Sequence, residues 1–220
     1  MLKRFAVFAL AALLLATSPA HALDKDKTPE YAVGHVREVT GEAKITRAGK
    51  TEVKDLHRGD DIFENDVITT DKKSSVRIYF KDGSDLVMAE KGKLVVDEFV
   101  YDSSKPTEGK AEYTLLDAAF SYVGGWMGKS QKADVSMNLN FGSLGIRGTR
   151  LLRAMKDNEC WIFLEKGKVD VYNKGGSVTL KPGEGTIMRD KSVSPEVPHI
   201  WNDDEKRWIK HTVSSRDWKD

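Results

Sequence analysis

The sequence predicts an all-β domain, a twisted two-layer or solenoid-like stack of short strands, and three observations carry that prediction. Apolar and β-branched residues alternate in short runs through residues 31–190, the period-2 signature of strands with one buried face. Glycine-bearing turns such as Asp82-Gly83 and Asn173-Lys-Gly-Gly separate those runs. The two ends of the region also echo each other. Gly41-Glu-Ala-Lys-Ile is followed by Leu56-His-Arg-Gly59-Asp60, and Gly167-Lys-Val-Asp-Val by Leu180-Lys-Pro-Gly183-Glu184. That internal pseudo-repeat indicates a repeated supersecondary unit.

Residues 23–30 are charged and read as a leader. Residues 33–39, 43–47, 67–70 and 75–80 are short alternating or branched segments. Lys81-Asp82-Gly83-Ser84 is a hairpin signal, because Asp-Gly supplies the positive φ of a tight turn. Residues 85–89 and 93–101 continue the series, and the polar stretch 103–109, with Pro106, reads as a loop. Residues 113–123 suit a helix by propensity and a strand by context; strand neighbours and the Gly124-Gly125 stop favour the strand. Residues 128–132 read as a loop, and further strands are expected at 135–144, 149–155, 160–164, 169–173, 177–180 and 185–189. After Ser192, Pro195 and Pro198 open a tail carrying Trp201, Trp208 and Trp218 among charges. Asn202, followed by acids, can cap a short helix there, and the tail is expected to pack on the β body.

Lys3-Arg4, the apolar run from Phe5 to Ala16 and Ala20-His21-Ala22 are the three parts of a secretory signal peptide. The run falls short of the ~20 residues that span a bilayer. The expected organisation is a signal peptide at 1–22, a leader at 23–30, a β domain at 31–190 and a tail at 191–220. Export to the periplasm follows, with no stable membrane insertion after cleavage. The 35 basic and 34 acidic residues balance to +1, which argues against a nucleic-acid partner, where a basic stripe is expected. Cys160 is the single cysteine, so no internal disulfide can form. It precedes Trp161-Ile-Phe-Leu and reads as a buried strand residue rather than a reactive thiol.

Gly145-Ile146-Arg147-Gly148-Thr149 is the most informative stretch. Glycine within a strand pattern marks a bulge, a bend or the close approach of another backbone. Arg147 sits between two glycines, so its five donors can reach past a neighbour that has no side chain. An anion clamp and a guanidinium tucked into the β body both fit, and the structural role is favoured. Asp60, Asp66 and Glu184 are its candidate partners. Gly59, Asp60, Asp82, Gly83 and Gly183 read as turn residues. Asp60, Asp61, Glu64 and Asp66 form an acidic cluster that a hard cation could use, but without EF-hand spacing it reads as a solvated turn. No histidine pair has metal-ligand spacing and no Gly-x-Ser-x-Gly elbow occurs. The expectation is therefore no cofactor, no metal and no catalysis. Trp126, after Gly124-Gly125, is the candidate for an exposed aromatic platform.

Taken in order, these elements resemble the FecR domain family. The opening strands around Gly34 and Gly41 are similar to that family's first strands. Leu56-His-Arg-Gly-Asp-Asp-Ile with Asp66-Val-Ile-Thr-Thr, then Ser75-Val-Arg-Ile-Tyr-Phe-Lys-Asp-Gly-Ser, resemble its central elements. Gly145 to Thr149 matches its GIRGT element, and Glu165-Lys-Gly-Lys-Val-Asp-Val completes the order. Leu139-Asn140 stands where the family carries Thr-Pro, Asn65 where a glycine is common, and Ala118-Ala119 where a glycine often appears. The best-known members relay a signal to a cytoplasmic sigma factor through an N-terminal domain and a membrane helix. Only Met1 to Arg4 precede the apolar run here, so that relay is not expected. The resemblance implies a non-catalytic exported protein with a binding or scaffold role in envelope sensing or signalling, and an envelope protein or cell-wall component as partner. The alternatives are a peptidoglycan- or other glycan-binding module and an enzyme of unrecognised type.

Overall fold

The computed structural model describes residues 31–129 and 132–214; the expected signal peptide, the leader and Trp218 lie outside them. In chain order the strands are β1 (Gly34–Thr40), β2 (Ala43–Thr46), β3 (Val53–Asp55), β4 (Asp61–Ile62), β5 (Val67–Thr70), β6 (Ser75–Phe80), β7 (Asp85–Met88) and β8 (Lys93–Tyr101). There follow β9 (Gly109–Leu116), β10 (Phe120–Val123), a 3-10 turn (Met127–Lys129), β11 (Asp134–Leu139), β12 (Gly142–Lys156) and β13 (Glu159–Asn173). The last elements are β14 (Gly176–Leu180), β15 (Glu184–Met188), β16 (His199–Ile200) and the helix α1 (Asp203–Val213).

The all-β class is as the alternation dictates. Twelve strands form one strongly curled half-barrel sheet in the order β3-β2-β5-β8-β9-β11-β12-β10-β7-β6-β1-β4. From β12, β13 branches away and carries β14, β15 and β16. Neighbours along the curl are antiparallel except β9 and β11, which run parallel from Lys110↔Asp134 to Leu115↔Leu139. Alternate residues such as Ala111, Tyr113 and Leu115 of β9 are buried, so a curled sheet gathers one face of every strand into a single core. Phe80 stacks on Phe99 with ring centres 5.6 Å apart and tilts against Tyr113 at 5.1 Å. Such aromatic pairs add specific geometry to the burial.

Strand boundaries differ from expectation in two places. The expected 113–123 and 135–144 strands are each cut. Asp117 turns left-handed at φ 68°, and the Asn140 amide clamps it, accepting from the Asp117 N–H at 3.0 Å and donating to its carboxylate at 2.9 Å. Conversely, the separate segments expected on either side of Gly148 and of Gly167 are continuous. Both β12 and β13 have 15 residues, paired from Ser143↔Tyr172 to Lys156↔Glu159. Asp157 and Asn158 close this hairpin with φ of 52° and 63°, the two left-handed residues of a turn that matches strand twist.

The pseudo-repeat has a geometric counterpart. In the first copy the Leu56 N–H donates to Ala43 at 2.9 Å; in the second Leu180 pairs with Val169. Both turns are then built alike. Gly59 and Gly183 have φ of 93° and 87°. The Asp60 carboxylate accepts from the His57 N–H at 2.8 Å, and the Glu184 carboxylate accepts from the Lys181 N–H at 2.8 Å. Each copy ends on a strand that returns to residues before the repeat glycine: β4 pairs with β1, ahead of Gly41, and β15 with Cys160–Phe163 of β13, ahead of Gly167.

The tail covers the outer face of β12 and β13 with a second small core of Leu152, Ala154, Phe163, Trp201, Ile209 and Val213. Trp201 stacks on Phe163 at 5.1 Å and meets Trp161 edge-on at 5.6 Å. Asn202 caps α1, accepting from the N–H groups of Asp204 and Glu205, while the Glu205 carboxylate accepts from the Asn202 N–H at 2.8 Å. This reciprocal box satisfies donors that a helix start leaves open. Glu165 on β13 joins both parts, 3.1 Å from Arg150 Nε and 2.6 Å from Lys210 Nζ. Gly185 makes room for the indole; a Cβ there would stand 2.1 Å from the Trp201 ring. Trp201→Ala is expected to lower unfolding free energy by about 3–5 kcal/mol, measured by urea denaturation.

Candidate functional site

The Gly145–Thr149 stretch lies where β12 bulges, with its register to β13 shifting between Arg147 and Arg150. Gly148 turns left-handed at φ 59° and Gly167, opposite, at φ 91°. A Cβ on Gly148 would lie 3.2 Å from the Gly128 carbonyl oxygen, and one on Gly167 only 2.2 Å from the Gly148 carbonyl oxygen. Three backbones therefore stack without side chains between them: the 3-10 turn, β12 and β13. Ile146 and Thr149 are buried beside the bulge, while Gly145 meets nothing closer than 3.8 Å.

Arg147 departs from the sequence expectation. Its side chain is exposed, and it forms no hydrogen bond or ion pair with another described residue. The bulge leaves it outside the core, and the expected acids serve elsewhere. Asp66 is 2.5 Å from Arg47 and accepts from the Phe63 N–H, while Asp60 and Glu184 hold the two repeat turns. The buried arginine is Arg153, fully enclosed. Its guanidinium donates to the Ala118 carbonyl, to Cys160 Sγ at 3.3 Å and to Met155 Sδ at 2.9 Å. Alternation from Leu151 would have found it, since Leu151, Arg153 and Met155 share one face. Burial pushes the Cys160 thiol up, with Arg153 opposing, so the thiol is held protonated.

Three motifs that are separate in the sequence meet at one end of the sheet. The Gly124 N–H donates to the Thr149 carbonyl at 2.8 Å, and the Trp126 N–H donates to the Asp82 carbonyl at 2.8 Å. Gly128 then rests on Gly148. The turn carrying Trp126 is thus seated on the β12 bulge on one side and on the Asp82-Gly83 hairpin on the other. Trp126 is 52% exposed, and Lys129 Nζ stands 3.8 Å from its ring centre. Asp82, beneath it, is fully buried; one carboxylate oxygen accepts from the Ser84 N–H at 3.0 Å and the Ser84 hydroxyl at 2.6 Å. The other oxygen has no hydrogen-bond partner among the described residues. Burial pushes this carboxyl up, against the Ser84 hydrogen bonds. Burial likewise pushes up the Tyr122 hydroxyl, with the Asp82 charge adding to it.

Gly59, Asp60 and Gly183 do not join this end; they belong to the repeat turns. In the acidic cluster Glu64 accepts from the Phe99 N–H. Among the described residues no group of three or more His, Cys, Asp or Glu side chains could hold a metal ion. One residue the sequence reading missed is Tyr79, outward-facing and partly exposed at the end of β6. A Cβ on Gly83 would lie 3.5 Å from its hydroxyl and 3.7 Å from the Trp126 ring. The signal was available, since Tyr79 lies between the buried residues Ile78 and Phe80 in an alternating strand.

No protein-family model matches the chain, and neither does any curated protein. Solved structures do, among them two of a putative anti-sigma factor from Parabacteroides distasonis. One superposes with a TM-score of 0.52 at 12% identity over 65% of this chain and 64% of that one. The other gives 0.51 at 11% identity over 64% and 62%. The chain thus spans less than two thirds of either protein, and at these identities the likeness is one of fold.

Two outcomes follow from this geometry. Gly167→Ala is expected to destabilise by about 3 kcal/mol or more, because the added carbon meets backbone. Arg147→Ala is expected to leave the melting temperature within about 2 °C; thermal melts of the pair test both. Asp82→Asn keeps an acceptor for Ser84 and removes a buried charge. A carboxyl raised on folding stabilises the fold while protonated, and that contribution is lost as pH rises from the ordinary carboxylate range through the raised value. The variant should therefore melt higher than wild type at pH 7, by on the order of 3 °C, and the gap should close near pH 3.5.

Proposed function

We propose that this chain is an exported FecR-like β module that binds or scaffolds a partner in the cell envelope and carries no catalysis. The observation that carries this reading is the curled sheet shared with the P. distasonis putative anti-sigma factor. The ordered motifs from Leu56 to Val171 support it, as does the N-terminal run that reads as a secretory signal. The Gly145–Thr149 element serves this role by seating a turn at one end of the sheet, so the exposed residues of that end are offered on a rigid frame.

Photo-crosslinking in intact cells, followed by identification of the captured species, tests the reading. Recovery of the chain in the periplasmic fraction, crosslinked to one envelope protein or to cell-wall material, is the expected result. Retention in the cytoplasm would overturn it. So would turnover of an envelope substrate by the purified protein that a single substitution abolishes.

A further inference from the structure

The sheet end built by the β12 bulge presents aromatic rings paired with cations. Trp126 is 52%, Tyr31 72% and Tyr79 36% exposed. Each has its own positive charge: Lys129 Nζ at 3.8 Å from the Trp126 ring centre, Lys81 Nζ at 5.8 Å from Tyr31, and Arg37 Cζ at 5.9 Å from Tyr79. These residues come together because β1 begins, β6 ends and β10 ends at the same edge of the curl. Gly83, at φ 81°, leaves a notch between two of the rings. A methyl-sized group placed there would touch the Tyr79 hydroxyl at 3.5 Å and the Trp126 ring at 3.7 Å, with the indole nitrogen at 3.9 Å. The carboxylate directly beside Tyr79 in this row, Asp85, is already gripped by Arg77 through Nε at 3.0 Å and Nη2 at 2.6 Å. The surface therefore offers ring faces, one hydroxyl, one indole N–H and positive charge; the exposed carboxylate of Asp61 lies further along the same row, on the far side of His35 from Tyr79.

We infer that this end of the sheet is a docking surface for a carboxylate-bearing cell-wall polysaccharide. Sugar rings present C–H faces that lie flat on aromatic rings, their hydroxyl and hydroxymethyl groups match a small notch with a donor and an acceptor, and their carboxylates match the cations. A protein partner fits less well, since protein interfaces centre on a dry apolar core, and here each ring is paired with a cation. The inference rests on the exported reading above, because aromatic–cation surfaces also stack the bases of single-stranded nucleic acid.

Sedimentation of the purified chain with isolated peptidoglycan sacculi tests the inference, with single-stranded DNA and the neutral oligomer chitohexaose as parallel probes. Wild type should be retained on sacculi. Trp126→Ala and Tyr79→Ala should each weaken retention by about tenfold, a difference of ~1.4 kcal/mol. Both should keep the wild-type circular dichroism spectrum, and Lys129→Gln, which leaves the rings in place, should weaken retention as well. Three results would overturn the inference: no retention of wild type, retention unchanged in all three variants, or equal affinity for chitohexaose. Tighter binding to DNA than to sacculi would overturn it too. Loss of sacculus binding alone leaves the envelope role standing if in-cell crosslinking still captures an envelope protein; a cytoplasmic location removes both.

Discussion

The contact on which the architecture turns is the stack of Gly128, Gly148 and Gly167. A Cβ at Gly167 would lie 2.2 Å from the Gly148 oxygen, so no side chain fits between the two longest strands at the bulge. Without that approach β12 could not bend while keeping its ladder to β13 on both sides of the bulge. The bend in turn provides the platform on which the Met127–Lys129 turn rests. The same glycines thus set both the curvature of the sheet and the position of its exposed aromatic end. The stack is backbone on backbone, so it transmits position with little room for adjustment.

Legibility in the sequence follows the range of the interaction. Local rules were sufficient for the all-β class, the Asp82-Gly83 turn and the Asn202 cap, because each is decided by residues a few positions apart. The two repeat turns were also legible, and their matching carboxylate-to-amide bonds give a physical reason for the echo. Glycine chemistry correctly indicated a close backbone approach at Gly148. What could not be read was which backbone approaches, since Gly128 and Gly167 come from different elements. Arg147 illustrates the limit. A guanidinium between glycines fits either a buried lock or an exposed group, and only the direction of the bulge decides. Arg153, six residues on, was readable from alternation but is hidden by the expectation that a buried arginine needs a carboxylate. Here a carbonyl and two sulfurs surround it instead.

The strand count was blurred for a related reason. Gly167 looks like a terminator in a one-dimensional reading, yet β13 passes through it without a break because Gly148 fills the space a side chain would need. Asn140, by contrast, breaks a run that alternation alone would continue, by hydrogen-bonding Asp117 from 23 residues away. Both outcomes are tertiary decisions that override local propensity.

The Asp157-Asn158 turn has a consequence for the order in which the chain acquires its shape. It closes the longest ladder among the described residues with a two-residue loop, so the entropy of bringing β12 and β13 together is as small as a hairpin permits. The parallel pair β9–β11 and the pairing of β1 with β6 must instead bring together segments separated by long stretches of chain. The β12–β13 hairpin therefore forms the largest number of pairs for a minimal loop, and it already contains Gly148 and Gly167. A chain that starts unfolded would build its curvature from that hairpin outward, its C-terminal half instructing the N-terminal half. The pseudo-repeat is then asymmetric in loop-closure entropy although its turns are alike: one copy is built on a single continuous strand held in a local hairpin, the other on two separate strands.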